Sequence, residues 1–251
     1  MELGMTVFPS WQSTFLSLLP AIALPLAFAF FAWALRAITA AAAFTGAFLT
    51  LILYLAAGPG ALLPVLVVFL LTYFGTRIGR RKKERLGTAE RRRGRGAAQV
   101  LANVSVAAVC AAPLIFRAHP RYVLLAGASA ALAEAAGDTI SSELGQAFGG
   151  TPRLITSLRR VPTGHDGAIT IPGTIFAFIA VALVCLTCQR TGLVLPDTYS
   201  TVLTAAFLGT LLDSLLGATL ERPGRLGNNA VNFTSSAFSA ALAMAALSLR
   251  Q

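Results

Sequence analysis

The chain has 251 residues, 56% of them hydrophobic and only 12% charged, with a mean hydropathy of +0.73. Soluble domains carry about 25% charged residues, so the composition excludes one and points to a polytopic α-helical membrane protein. The formal charge of +10 is then read first as a signal that orients spans and meets anionic headgroups or substrates, not as one for nucleic acid.

Apolar runs of about 20 residues, each able to cross ~30 Å of hydrocarbon, recur along the chain. Eight spans are expected, at 15–35, 37–57, 60–79, 97–117, 121–144, 167–188, 198–220 and 229–249, forming one all-α transmembrane bundle. The opening stretch MELGMTVFPSWQ lacks Lys and Arg and carries Glu2. A secretory signal begins with a basic region, so the first segment is expected to be a retained span, and the location a bacterial inner membrane. Pro20 and Pro25 are expected to kink that span. The first three spans contain no acid. Region 1–79 therefore reads as lipid-facing scaffold beside a catalytic core at 97–251.

Between them lies RRKKERLGTAERRRGRG, 80–96, the most basic stretch of the chain. It fits a solvated loop held against anionic headgroups. It also fits a loop whose last part, near Arg93 and Arg95, binds a phosphate. Gln99 and Asn103 follow, one helical turn apart at the start of the fourth span. Amides placed there act as helix–helix glue or, if they share a face with acids, as ligands.

The fifth span ends in AEAAGDTISSELG. Glu134 and Asp138 are four apart, and Ser141 and Ser142 continue near the same face. Glu143 is expected at the membrane surface. An ionisable residue inside a span is costly and suggests function. Asp213, in FLGTLLDSLLGATL of the seventh span, poses the same problem. Asp138 and Asp213 are expected ~9 Å and ~11 Å from the inner ends of their spans. At matching depth they could share a hard cation such as Mg²⁺, which takes carboxylate, phosphate and water oxygens. Alternatively, each acid is neutralised by an arginine or buried protonated.

The loop after the fifth span reads QAFGGTPRLITSLRRVPTGHDGAITIPG. Gly149, Gly150, Thr163, Gly164 and Gly167 let backbone N–H groups approach an anion. Arg153, Arg159 and Arg160 supply charge in a form suited to phosphate, unless the loop is merely flexible and topogenic. His165 beside Asp166 is a minor candidate for proton transfer. No Walker A pattern occurs. Cys185 and Cys188, a C-x-x-C pair within the sixth span, read as small core residues because no second ligand pair accompanies them.

With the N-terminus outside, sixteen of the 20 Lys and Arg fall in inside loops. Both termini are therefore expected outside and the acids near the cytoplasmic face. A faint echo joins Asp138-Thr139 and Pro152-Arg153-Leu154 to Asp213-Ser214 and Pro223-Gly224-Arg225-Leu226, where an old duplication would show. Asn228, Asn229 and Asn232 cluster at the inner end of the eighth span, much as Asn103 does in the fourth.

GDTISSELG at 137–145, PRLIT, VPTGHDGAITIPGT, LGTLLDSLLGATLE at 208–221 and NNAVN at 228–232 resemble the integral-membrane family of chloroplast phytyl-phosphate kinase and its animal and prokaryotic relatives. The resemblance covers about residues 76–244, with QVLAN at 99–103 also fitting; His165, Ala168 and Thr170 depart from the family's loop pattern. It implies phosphoryl transfer from a nucleoside triphosphate, CTP being the suggested donor, to a prenyl or phytyl monophosphate. Its acid-Thr…Ser-Glu element falls on Asp138, Thr139, Ser142 and Glu143, and its Asp-Ser element on Asp213 and Ser214. The expected assignment gives catalysis and Mg²⁺ to Asp138, Glu143 and Asp213. Nucleotide and phosphate go to Arg95, Gln99, Asn103, Ser142, Arg153, Arg159, Arg160, Thr163, Gly164, Gly167, Ser214, Asn228, Asn229 and Asn232. Rival readings are a prenol kinase, a CTP-dependent CDP-lipid synthase, and a cation-coupled transporter using Glu134 nearer mid-bilayer.

Overall fold

The computed structural model describes residues 11–90 and 94–250. Nine α-helices run through them: α1 (Trp11–Ala34), α2 (Ala40–Ala57), α3 (Leu62–Arg77), α4 (Arg80–Leu86), α5 (Ala97–Ala111), α6 (Arg121–Phe148), α7 (Ile171–Arg190), α8 (Tyr199–Leu216) and α9 (Asn228–Ser248). Seven helical segments among the described residues are long and apolar enough to cross a membrane, and α1 adds the apolar stretch Leu19–Ala34. The chain is a polytopic α-helical membrane protein. Its expected spans correspond to α1–α3 and α5–α9, with two notable shifts. The fifth continues to Phe148, and the sixth begins at Ile171, where Thr170 caps it by accepting from Gly173 N at 3.1 Å.

The helix α6 is the axis of the bundle, with 89% of its apolar window buried. Its sequence explains this. Ala, Gly and Ser dominate AGASAALAEAAG, and small residues let helices approach closely where lipid supplies no hydrophobic drive. A Cβ on Gly137 would stand 2.8 Å from Thr210 Oγ1, and one on Gly209 only 1.7 Å from Ser239 Oγ. These two contacts draw the acid-bearing turns of α6 and α8 together against α9. The 28 residues of α6 rise about 42 Å, more than the ~30 Å of hydrocarbon, so its end projects past the apolar layer.

The main apolar core runs from Leu49 on α2 to Leu247 on α9 and includes Cys185 and Cys188, and a smaller cluster of Ile140, Leu144 and Ala180 lies beside it. Both cysteines are free and buried, as packing residues are. The first spans share this core rather than standing beside it, since α2 packs on α5, and α3 on α6 and α7.

The links at 35–39, 78–90, 94–96, 149–170 and 222–227 gather at one end, which is the basic end. Thr39 N donates to Arg95 O at 3.0 Å, Lys82 Nζ to Ala147 O at 3.0 Å, and Gly167 lies against Ala218. The described part of the basic stretch 80–96 is not a plain solvated loop. Its first part is the short helix α4, and Lys83 within it is completely buried. Within 149–170, β1 (Arg153–Leu154) pairs antiparallel with β2 (Ala168–Ile169). This hairpin closes the basic end over α6 and α8.

Candidate active site at the basic end of the bundle

A polar cavity of about 320 Å³ opens beneath the hairpin. Its floor is the carboxyl pair Asp138 on α6 and Asp213 on α8, close enough to act on each other's charge across the α6–α8 contact. Ser235 Oγ, on α9, donates to Asp213 Oδ2 at 3.0 Å and fixes that side chain. Beside the floor, Asn232 Nδ2 donates to Asn103 Oδ1 at 3.1 Å, tying α9 to α5. The Oδ1 atom of Asn232 is buried without a partner.

Arg95 forms one wall. It donates from Nη1 to Thr139 Oγ1 at 3.4 Å, while its Nε has no acceptor, the Glu90 carboxylate standing 4.0 Å away. Burial pulls the Arg95 pKa down, and the negative charges of Glu90, Glu143 and Asp138 oppose this. Arginine stays cationic regardless. Gln99 braces the same wall: its Oε1 accepts from Gly96 N at 2.8 Å and its Nε2 donates to Glu90 Oε2 at 3.1 Å.

The roof is the segment 163–168. Gly167 has φ +71°, and a Cβ there would stand 2.3 Å from Ala218 N. Only glycine satisfies both the left-handed backbone and the approach. Ala218 belongs to a π-helical turn, Gly217–Glu221, which continues α8. Such turns interrupt helices at functional sites, and here one brings Glu221 to the cavity wall.

Of the residues expected to form the site, Arg95, Gln99, Asn103, Asp138, Ser142, Glu143, Thr163, Gly164, Gly167, Asp213, Ser214, Asn228 and Asn232 line this one cavity. Four do not. Strand alternation turns Leu154 inward and Arg153 outward, where Arg153 Nη1 donates to Leu158 O at 2.8 Å. Arg159 and Arg160 follow a tight turn, with Leu158 N donating to Leu154 O at 2.8 Å, and are exposed away from the cavity. Asn229 is exposed on the far side of the first turn of α9. Arg93 lies outside the described residues.

Glu143 lines the cavity but is not free to join the other two acids. Its Oε2 accepts from Lys83 Nζ, which also donates to Gly75 O at 3.0 Å and Thr76 O at 3.1 Å. Among the described residues, no group of three His, Cys, Asp or Glu is arranged to hold one ion. The expected three-carboxylate set therefore contracts to the pair Asp138 and Asp213, because a buried lysine claims the third member.

Residues 23–240 match a family model described as Integral membrane protein DUF92. The chain belongs to this family. It is 36% identical over 199 residues to the uncharacterized membrane protein sll0875 of Synechocystis sp., covering 78% of this chain and 77% of that protein. It is 34% identical over 203 residues to Protein PGR of Arabidopsis thaliana, 70% of each chain. Against Protein VTE6, chloroplastic, also of Arabidopsis thaliana, identity is 28% over 168 residues, 65% of this chain but only 50% of VTE6. No solved structure matches. All the segments that carry the resemblance to the phytyl-phosphate kinase family between 99 and 232 lie within the span matched by the DUF92 model.

Within the DUF92 chain, the cavity also holds His165 and Asp166, the minor proton-transfer candidates, and residues the sequence reading did not select: Thr88, Glu90, Gln146 and Glu221. A signal existed for Glu221, since Asp213, Gly217 and Glu221 fall at i, i+4 and i+8 on one helix face. Deeper in the bundle, Glu134 is buried below the acid pair, where Ser236 Oγ donates to its Oε2 and its Oε1 has no partner. The donor set at the floor suits Mg²⁺. That ion binds through one or two carboxylates and completes its shell with substrate phosphates and water, and two apposed acids away from bulk water need a shared proton or a shared cation.

Proposed function

We propose that the protein is a membrane-embedded phosphotransferase. It moves the terminal phosphoryl group of a nucleoside triphosphate, with CTP the donor the family resemblance suggests, to a prenyl or phytyl monophosphate. The observation that carries this reading is the polar cavity itself: an apposed acid pair under a glycine-bearing roof, with a buried cationic Arg95 on its wall. Phosphoryl transfer needs positioning and charge neutralisation more than covalent chemistry, and this cavity offers both.

Asp138 and Asp213 hold Mg²⁺ in this reading, and the ion, when bound, neutralises charge on the donor phosphates. Ser235 keeps Asp213 turned to the floor. Arg95 takes phosphate oxygens through its unpartnered Nε, and the amides of Asn103 and Asn232 add polar contacts. The roof N–H groups near Gly164 and Gly167 face anionic oxygens. A monophosphate acceptor is already ionised, so no side chain has to remove a proton from it. With basic ends inside, the nucleotide reaches the cavity from the cytoplasm of a bacterial cell.

The test is turnover by purified protein with prenyl monophosphates, prenols and each nucleoside triphosphate, products being identified by mass. A prenyl diphosphate is expected. A CDP-lipid, or product only from the free prenol, would replace this reading with another. Asp138→Asn and Asp213→Asn should each reduce Mg²⁺-dependent turnover at least ~100-fold. Stability without metal should hold or rise, because repulsion between the acids is relieved.

A further inference from the structure

A second cavity, of about 440 Å³, adjoins the polar one. It runs between α1, α2, α3 and α5 and is closed at depth by Phe28, Thr50, Val65 and Leu132. Its lining on α3 extends from Thr76 to Val65, a rise of about 16 Å and so about half of the ~30 Å hydrocarbon layer. The rim, at the basic end, carries Arg36, Arg77, Arg80 and Arg95. Glu90, Arg95, Gln99 and Asn103 line both cavities, so the two communicate through the Arg95 wall.

We propose that this second cavity holds the apolar tail of a phosphorylated lipid acceptor, with the lipid's phosphate on Arg95 between the cavities. The inference rests on the phosphotransferase reading and names where its acceptor lies. A phosphate that must reach Asp138 and Asp213 needs a tail site sharing a wall with the polar cavity, and this cavity shares one. A further apolar groove, between α3, α6 and α7 and lined by Val67, Leu71 and Phe176, has no lining residue in common with it.

The rim charges point the same way. Arg77 donates to Tyr73 O at 3.3 Å and Leu35 O at 3.4 Å and lies 3.5 Å over the Tyr73 ring. Arg80 is paired with Glu84 at 3.0 Å. Arg95 alone of these three has a buried donor without an acceptor.

Gly46 sets the length of tail that fits. It lies midway along the α2 stripe formed by Ala42, Gly46 and Thr50. A Cβ at Gly46 would meet only Val100 Cγ1, at an ordinary 3.7 Å. A larger side chain there enters the cavity without pushing α2 from α5.

Two measurements on the full chain in lipid nanodiscs test this. In the first, a farnesyl monophosphate bearing a diazirine at its tail end is photolysed and its attachment sites are mapped. Labels on α1, α2 or α5, removed by excess phytyl monophosphate, are expected; labels on Val67, Leu71 or Phe176 overturn the proposal. In the second, Gly46→Leu should weaken binding of phytyl relative to geranyl monophosphate by about tenfold. An unchanged ratio also overturns it. The two readings fail separately. Labelling in this cavity with no diphosphate product keeps the lipid site and removes the phosphotransferase reading, whereas product with labels in the α3–α6–α7 groove does the reverse.

Discussion

Lys83 and Glu143 show how much one buried charge can organise. The lysine has three donors and spends them on Gly75 O, Thr76 O and Glu143, so α4 is held to the ends of α3 and α6 by one ammonium group. Removing one partner of a buried ion pair strands the other, at a cost of about 3–5 kcal/mol, whereas replacing both with apolar groups of like volume is often near neutral. Lys83→Met should therefore lower unfolding stability in detergent by about 3 kcal/mol, and adding Glu143→Leu should restore most of it. A loss under ~1 kcal/mol in the single variant would mean that the pair behaves like an exposed one. The pairing was not legible in the sequence, because Lys83 stands in a run of basic residues where nothing marks the one that turns inward. Asp138 and Asp213 were legible for the opposite reason: an acid stands out against an apolar span.

At the scale of the element, the 149–170 hairpin separates two kinds of residue that the sequence runs together. Thr163, Gly164 and Gly167 line the cavity, while Gly149 and Gly150 do not and Arg153, Arg159 and Arg160 are exposed outside it. Composition placed all of them near phosphate; the two-residue period of a strand and the turn at Leu158 split them. Joint Arg159→Ala and Arg160→Ala replacement should leave nucleotide and acceptor KM within about twofold and change stability by no more than ~0.5 kcal/mol, as exposed loop changes do. Arg95→Ala should raise the acceptor KM at least ~tenfold, since it removes a charge-assisted contact. If the outward pair raised KM as much as Arg95 does, the loop would have to fold inward during turnover. The spans themselves were readable to within a few residues from apolar length. The π turn at Gly217–Glu221 was not, because a helix with one widened turn has the same hydropathy as one without it.

For the molecule as a whole, the decisive fact is that both cavities open at the end where the basic links gather. The cavities follow from packing: a central helix of small residues lets α8 and α9 close tightly around the acids, while bulkier α1, α2 and α3 leave a chamber against α5. Reading the first spans as scaffold missed this because a lipid-facing helix and a cavity wall have the same apolar composition. Only the neighbours distinguish them. The side of the membrane on which the cavities open is proposed from charge: sixteen of the 20 Lys and Arg belong to the sequence links expected inside, and basic links favour the cytoplasmic side. A reporter inserted after Gly87, between α4 and the rest of the basic segment, should report the cytoplasm. One fused after α9 should report the opposite side, because eight crossings that begin outside also end outside. Alkaline phosphatase and green fluorescent protein fusions read the two sides independently. The same side for both would make the number of crossings between Gly87 and the end of α9 even, and would remove one of α5–α9 from the set that spans.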